Sequence, residues 1–178
     1  LYPIAEQRRL FILLGGSFAL NNFTVNQVND IPAENEHWIE IYNTATFDGF
    51  KVNGFTGTNG KIFEGTSAKL EIKNSQLVNI QWGRQAILFK LLYGSLILTN
   101  STFEAGKLLM GSQMDRIVFD HTTVSSEKGS EYAVFIQNSA DIQMLASTFT
   151  QRGPKQAFTA ENMIVLSDIR NNVTMTSC

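Results

Sequence analysis

Residues 96 to 103 read LILTNSTF, with apolar side chains at Leu96 and Leu98, a polar break at Asn100-Ser101-Thr102, and an apolar Phe103 at shifted parity. Alternation with a period of two marks a half-buried strand. Asparagine followed by a hydroxyl residue is the chemistry of a bend. The same form recurs along the chain: FALNNFTV at 18–25, LEIKNSQL at 70–77, IVFDHTTV at 117–124 and IQMLASTF at 142–149. Two looser copies are IEIYNTATF from Ile39, with one extra residue, and IVLSDIRN from Ile164. One column then holds Phe18, Ile39, Leu70, Leu96, Ile117, Ile142 and Ile164, and a second holds Leu20, Ile41, Ile72, Leu98, Phe119, Met144 and Leu166. Every position is apolar in a chain that is 43% apolar, so the agreement exceeds what composition supplies.

Each copy is preceded by an apolar pair or triplet and a short bend, as in IFEGTSAK before Leu70 and VFIQNSAD before Ile142. Units of roughly 22 residues built this way hold two or three short strands and leave no room for a helix; a repeat of that kind predicts a solenoid. An immunoglobulin-like sandwich needs no repeat. A leucine-rich repeat needs an L-x-x-L-x-L-x-x-N pattern that does not fit. The expected fold is all-β: a single domain over 1–178, a right-handed parallel β-helix of about seven rungs, roughly 30 Å tall at ~4.8 Å per rung.

The column after the apolar pair reads Asn22, Asn43, Asn74, Asn100, His121, Ala146 and Asp168. Asparagine tolerates the left-handed backbone that a sharp bend requires, and stacked amides can hydrogen-bond along a ladder. The hydroxyls that follow it, Thr44, Ser75, Ser101, Thr122 and Ser147, suit the same turn. The parity shift between Leu98 and Phe103 is then a corner of the coil. Three N-x-[S/T] acceptor sequences fall at Asn22, Asn100 and Asn172. A ladder facing inward would exclude a glycan at Asn22 and Asn100, whereas an outer corner would admit one. Asn172 lies beyond the last clear rung.

The pattern at Asn-[S/T] after two inward apolar residues resembles the pectin-lyase-like β-helix superfamily. It is similar in particular to repeat-rich surface proteins of protists and to polymorphic outer-membrane-type repeats. The resemblance spans about Phe11 to Ile169. The chain departs from those outer-membrane repeats in lacking G-G-A-I, and from the polygalacturonase-like enzymes in lacking N-T-D, D-D, G-H-G and R-I-K. Asn43-Thr44-Ala45 is the nearest approach, and it has no acid.

Composition narrows the functional classes. A formal net charge of −2 with no basic run argues against nucleic acid as a partner. Cys178 is the only cysteine, which excludes a disulfide within the chain. No apolar run reaches the ~18 residues of a membrane span. RRLFILLGGSFAL (8–20) has the look of a secretion signal but runs into the first repeat, and is read as part of it. The alternating run VTMTSC at 173–178 predicts that this is a segment of a longer chain.

The candidate chemistry is sparse. His121 stands where other units place asparagine, next to Asp120, and is read as a corner residue. His37 has no Cys, His or Asp at ligand spacing, so neither a metal nor another cofactor is expected. Glu40 and Glu71 occupy the outward position between the two apolar columns and are expected to stack on neighbouring rungs. Trp38, Trp82 and Arg84 are the candidate carbohydrate contacts. The expected function is a non-enzymatic structural or adhesive module of an extracellular, cell-surface or filament-forming protein. Its expected partners are further rungs or other copies end to end. The alternative is a β-helix that binds or degrades polysaccharide.

Overall fold

The computed structural model describes residues 11–13, 16–31, 37–57, 61–82, 87–127, 132–152 and 162–178. Within them the regular structure is strand, and every strand pairing is parallel. The strands coil into a β-solenoid with three faces. Face one stacks Phe11–Leu13, His37–Ile41, the first part of Lys61–Lys73, the first part of Ile87–Thr99, Lys107–Ser112, Tyr132–Gln137 and Asn162–Ser167. Face two stacks Ser17–Asn21, Thr44–Asp48, the second parts of the same two long strands, Arg116–Asp120, Asp141–Leu145 and Asn172–Thr176. Face three stacks Thr24–Ile31, Lys51–Gly57, Gln76–Trp82, Thr102–Ala105, Thr123–Glu127 and Thr148–Arg152. Because Lys61–Lys73 and Ile87–Thr99 bend round a corner without a break, faces one and two form one sheet and face three another.

The rung count differs slightly from seven. Six rungs have a strand on all three faces, and a seventh contributes Asn162–Ser167 and Asn172–Thr176 alone. The register also moves two of the copies. On face two, Phe18 pairs with Ala45, then Leu70, Leu96, Ile117, Ile142 and Val173 follow. Beside it run Leu20, Phe47, Ile72, Leu98, Phe119, Met144 and Met175. Ile39 and Ile164 belong instead to face one, in the column Ile39, Phe63, Phe89, Leu109, Val134, Ile164. The stretch from Ile39 to Phe47 spans parts of two strands, His37–Ile41 and Thr44–Asp48, with Tyr42 and Asn43 as the corner between them.

These columns make the core. Phe47, Phe63, Phe89, Phe103 and Phe119 are fully buried together with Ile39, Ile72 and Leu98. Burying such side chains stabilises by about 1.5–3 kcal/mol each. Phe63 stacks on Phe89 of the next rung at 5.0 Å, and within that rung Phe89 lies edge-on to Phe103 across the core at 5.6 Å. On face three the inward column is Val25, Val52, Leu77, Phe103, Val124 and Phe149.

Candidate functional site

The corner between faces two and three is the most regular feature of the molecule. Its first residue is Asn22, Gly49, Asn74, Asn100, His121, Ala146 or Ser177, each with φ between 45° and 66°. That left-handed backbone is cheap only for glycine and asparagine. It throws the amide of each corner residue onto the next rung, as with Asn100 N to Asp120 O at 2.9 Å and His121 N to Leu145 O at 2.9 Å. The third residue bonds backwards, as with Thr102 N to Ser75 O at 2.9 Å. The middle residue would be left with an orphan amide, and the hydroxyl takes that role. Ser75 Oγ accepts from Phe50 N at 3.0 Å, Ser101 Oγ from Ser75 N at 3.1 Å, and Ser147 Oγ from Thr122 N at 3.1 Å. Each hydroxyl also donates to the carbonyl two residues earlier, Ser101 Oγ to Thr99 O at 2.8 Å for example. Ser75, Ser101, Thr122 and Ser147 are all buried, so these bonds satisfy groups that water does not reach. Cys178 continues the column, its thiol donating to Met144 O at 3.2 Å.

The asparagine column faces outward. Asn100 Nδ2 donates to Asn74 Oδ1 at 2.7 Å, and Asn74 Nδ2 to Asp48 Oδ1 at 2.8 Å, with all three side chains at the surface. His121 is exposed and its Nδ1 lies 2.7 Å from Asp120 Oδ1, which places it in the ladder as a corner residue. Asn43 and Asp168 are not in this ladder. They sit at the corner between faces one and two, where Asp168 has φ 51° and Asn43 adopts no left-handed backbone. Gly49 and Ser177 take the places assigned to them. The signal was available: ATFDGFK aligns with LEIKNSQ once glycine is allowed for asparagine, and VTMTSC aligns with IQMLAS once cysteine is allowed for serine.

The second corner has its own left-handed residues, Ser67, Tyr93, Gln113, Asn138 and Asp168. Sequence reasoning missed them because their side chains share no chemistry. Ser139 is buried there and repeats the hydroxyl device, accepting from Met114 N at 3.2 Å and donating to Gln137 O at 3.1 Å. Gly94 allows the closest approach of two rungs: a Cβ added to it would lie 2.0 Å from the Ala68 carbonyl oxygen.

The acidic pair changes partners. Glu40 lies on face one and is registered with Glu64, whereas Glu71 lies on face two between Thr46 and Ile97. Glu40 and Glu71 are therefore not stacked. Glu64 is held by Lys61 at 3.0 Å and Lys90 at 3.4 Å, and Tyr42 Oη donates to Glu40. Glu71 pairs with Lys73 at 2.8 Å, and that hydrogen bond, reinforced by the charges of Glu71 and Asp48, raises the Lys73 ammonium above its ordinary value. Among the described residues no group of three His, Cys, Asp or Glu side chains could hold a metal ion.

The aromatic candidates separate. Trp38 is 6% exposed and packs against Phe50 at 6.5 Å, so its ring offers no open face to a sugar. Trp82 ends the strand Gln76–Trp82, paired with Gly57, and Arg84 lies outside the described residues. Among the described residues Tyr42 and Tyr93 are exposed, at 44% and 45%. Near Tyr93, a groove of about 250 Å³ crosses face one, walled by Glu64, Lys90 and Met110 on one side and Thr66, Leu92 and Ser112 on the other. A polar groove of about 320 Å³ follows the asparagine ladder, lined by Asn74, Gln76, Asn100, Thr102, His121 and Thr123.

No known protein family, curated protein or solved structure matches this chain. Among the described residues no helix is long and apolar enough to cross a membrane.

Proposed function

We propose that this chain is a non-enzymatic structural or adhesive module of an extracellular, surface or filament-forming protein, and that it joins other β-strands of its own kind end to end. The supporting observation is where its polar residues are spent. The regular ones, Ser75, Ser101, Thr122 and Ser147 with Asn74 and Asn100, bond rung to rung rather than converge on one reacting centre. The strand Asn172–Thr176 adds to this. Val173 and Met175 stand in the columns of Ile142 and Met144, so this strand carries the apolar stack of face two into the seventh rung, and a lysine in either column opposes stacking there. The test is sedimentation and electron microscopy of the full-length protein over a concentration series, beside Val173→Lys and Met175→Lys. End-to-end rods that shorten in both variants are expected. A full-length protein that stays monomeric throughout, with the variants indistinguishable from it, would sink the reading.

A second reading, polysaccharide binding, draws on the exposed Tyr93 beside the groove of Glu64, Lys90 and Leu92. Aromatic faces stack on sugar rings, and charged groups orient hydroxyls. Affinity electrophoresis against neutral and acidic polysaccharides, with Tyr93→Ala as the control, decides it. Retardation lost in that variant supports binding, and retardation by none of the gels ends it.

A further inference from the structure

Two acceptor sequences stand at the same corner of the coil, Asn22-Phe23-Thr24 on rung one and Asn100-Ser101-Thr102 on rung four. They have the same residue at the third position and nearly the same backbone, with φ 52° at Asn22 and 48° at Asn100. Their surroundings differ. Asn100 stands between two side chains of its own column, Asn74 and His121, and its Nδ2 is committed to Asn74 Oδ1 at 2.7 Å. Thr102 is half-buried. A sugar ring on that nitrogen has to fit between rungs only ~4.8 Å apart and breaks the ladder geometry.

Asn22 has glycine as its ladder neighbour. Its Oδ1 leans into the space a side chain at Gly49 would occupy, 2.6 Å from where a Cβ would stand. Its Nδ2 has no partner among the described residues, and both Asn22 and Thr24 are exposed. The gap at Gly49 leaves this amide free at an outer corner.

We propose that Asn22 is an N-glycan acceptor of the folded protein and that Asn100, despite the same motif, is not. The inference rests on the extracellular reading above. The donor is a polyprenyl-diphosphate-linked oligosaccharide. The bond from its anomeric carbon to the diphosphate oxygen breaks, a bond from that carbon to Asn22 Nδ2 forms, the amide loses one proton, and the lipid diphosphate leaves. The attached sugar projects from the corner into solvent and disturbs no rung-to-rung bond.

The test is to secrete the protein from a eukaryotic host as an Asn172→Gln variant, which leaves these two acceptors, and to map glycopeptides in the folded fraction. The host supplies the compartment, so the result does not depend on where the protein resides naturally. Occupancy several-fold higher at Asn22 than at Asn100 is expected, with the glycan lost in Thr24→Ala, which keeps the asparagine its corner needs. Occupancy at Asn100 equal to or above that at Asn22, or a bare Asn22, overturns the proposal. Protein from its natural source that is unglycosylated while the host-made protein carries the Asn22 glycan would fault the extracellular reading and leave the site standing.

Discussion

The corner leading from face two into face three and, except at Tyr42–Asn43, the corner leading from face one into face two both turn on a left-handed residue. They differ in what stands beside it. The first always spans two residues between its strands, at 22–23, 49–50, 74–75, 100–101, 121–122 and 146–147. The second has no break within Lys61–Lys73 and Ile87–Thr99, two residues at 42–43, three at 113–115 and 138–140, and four at 168–171. A corner of fixed length stacks like on like, so one hydroxyl can serve the rung before it. A corner of variable length does so only where neighbouring rungs match, as Ser139 serves Met114 between the three-residue corners 138–140 and 113–115, and in another rung a glycine presses on the carbonyl of its neighbour. Regularity here follows from repeated bonding, and backbone shape alone does not demand it.

The largest expected effect tests the second corner. Gly94→Ala drives a Cβ into the Ala68 carbonyl and adds a left-handed alanine, together costing roughly 2–5 kcal/mol. Urea denaturation measures it, and a loss below the range would mean that the two rungs separate easily there. Next come paired deletions of the buried hydroxyl, Ser101→Ala at the first corner and Ser139→Ala at the second. Each strands a buried amide, that of Ser75 or Met114, and is expected to cost about 1–3 kcal/mol. Should Ser139→Ala prove silent while Ser101→Ala does not, the hydroxyl matters only where it is stacked.

A smaller effect has the opposite sign. Ala146 and Tyr93 hold left-handed backbone with side chains that resist it, φ 45° and 60°. Replacing either by asparagine is expected to stabilise by about 1 kcal/mol. Equal gains would show that the two corners impose the same backbone demand. The smallest effect is electrostatic. Lys73 is raised above its ordinary value of about 10.5 by Glu71. Its pairing therefore stabilises fully below that pH and is lost as pH rises through the higher folded value. On so exposed a side chain the loss is slight, and it should vanish in Lys73→Met when thermal midpoints are compared across the alkaline range.

The same contrast decides what could be read in advance. Leu70, Leu96, Ile117 and Ile142 are in true register because the two-residue corner after their strands never changes length. The all-β solenoid follows from them. Ile39 and Ile164 were drawn into that column because face one carries the same alternation, and the variable corner hides the offset between faces. Asn43 and Asp168 went with them. Gly49 was passed over because the left-handed backbone, rather than the amide, is what the position requires. Of the surface, the outward direction of Asn100 was left open by the pattern, since period-two alternation says nothing about which way a corner residue points. The burial of Trp38 was equally hidden, because it depends on Phe50, which follows it only after a corner and another strand.

Each buried corner serine takes an amide from the rung before: Ser75 from Phe50, Ser101 from Ser75, Ser147 from Thr122, and Ser139 from Met114. A corner is therefore finished by its successor. During synthesis the earlier rung leaves the ribosome first and waits, two corner amides short, for about a rung's length of chain to emerge. The growing edge always carries an incomplete corner, and completion passes along the rod in the direction of translation.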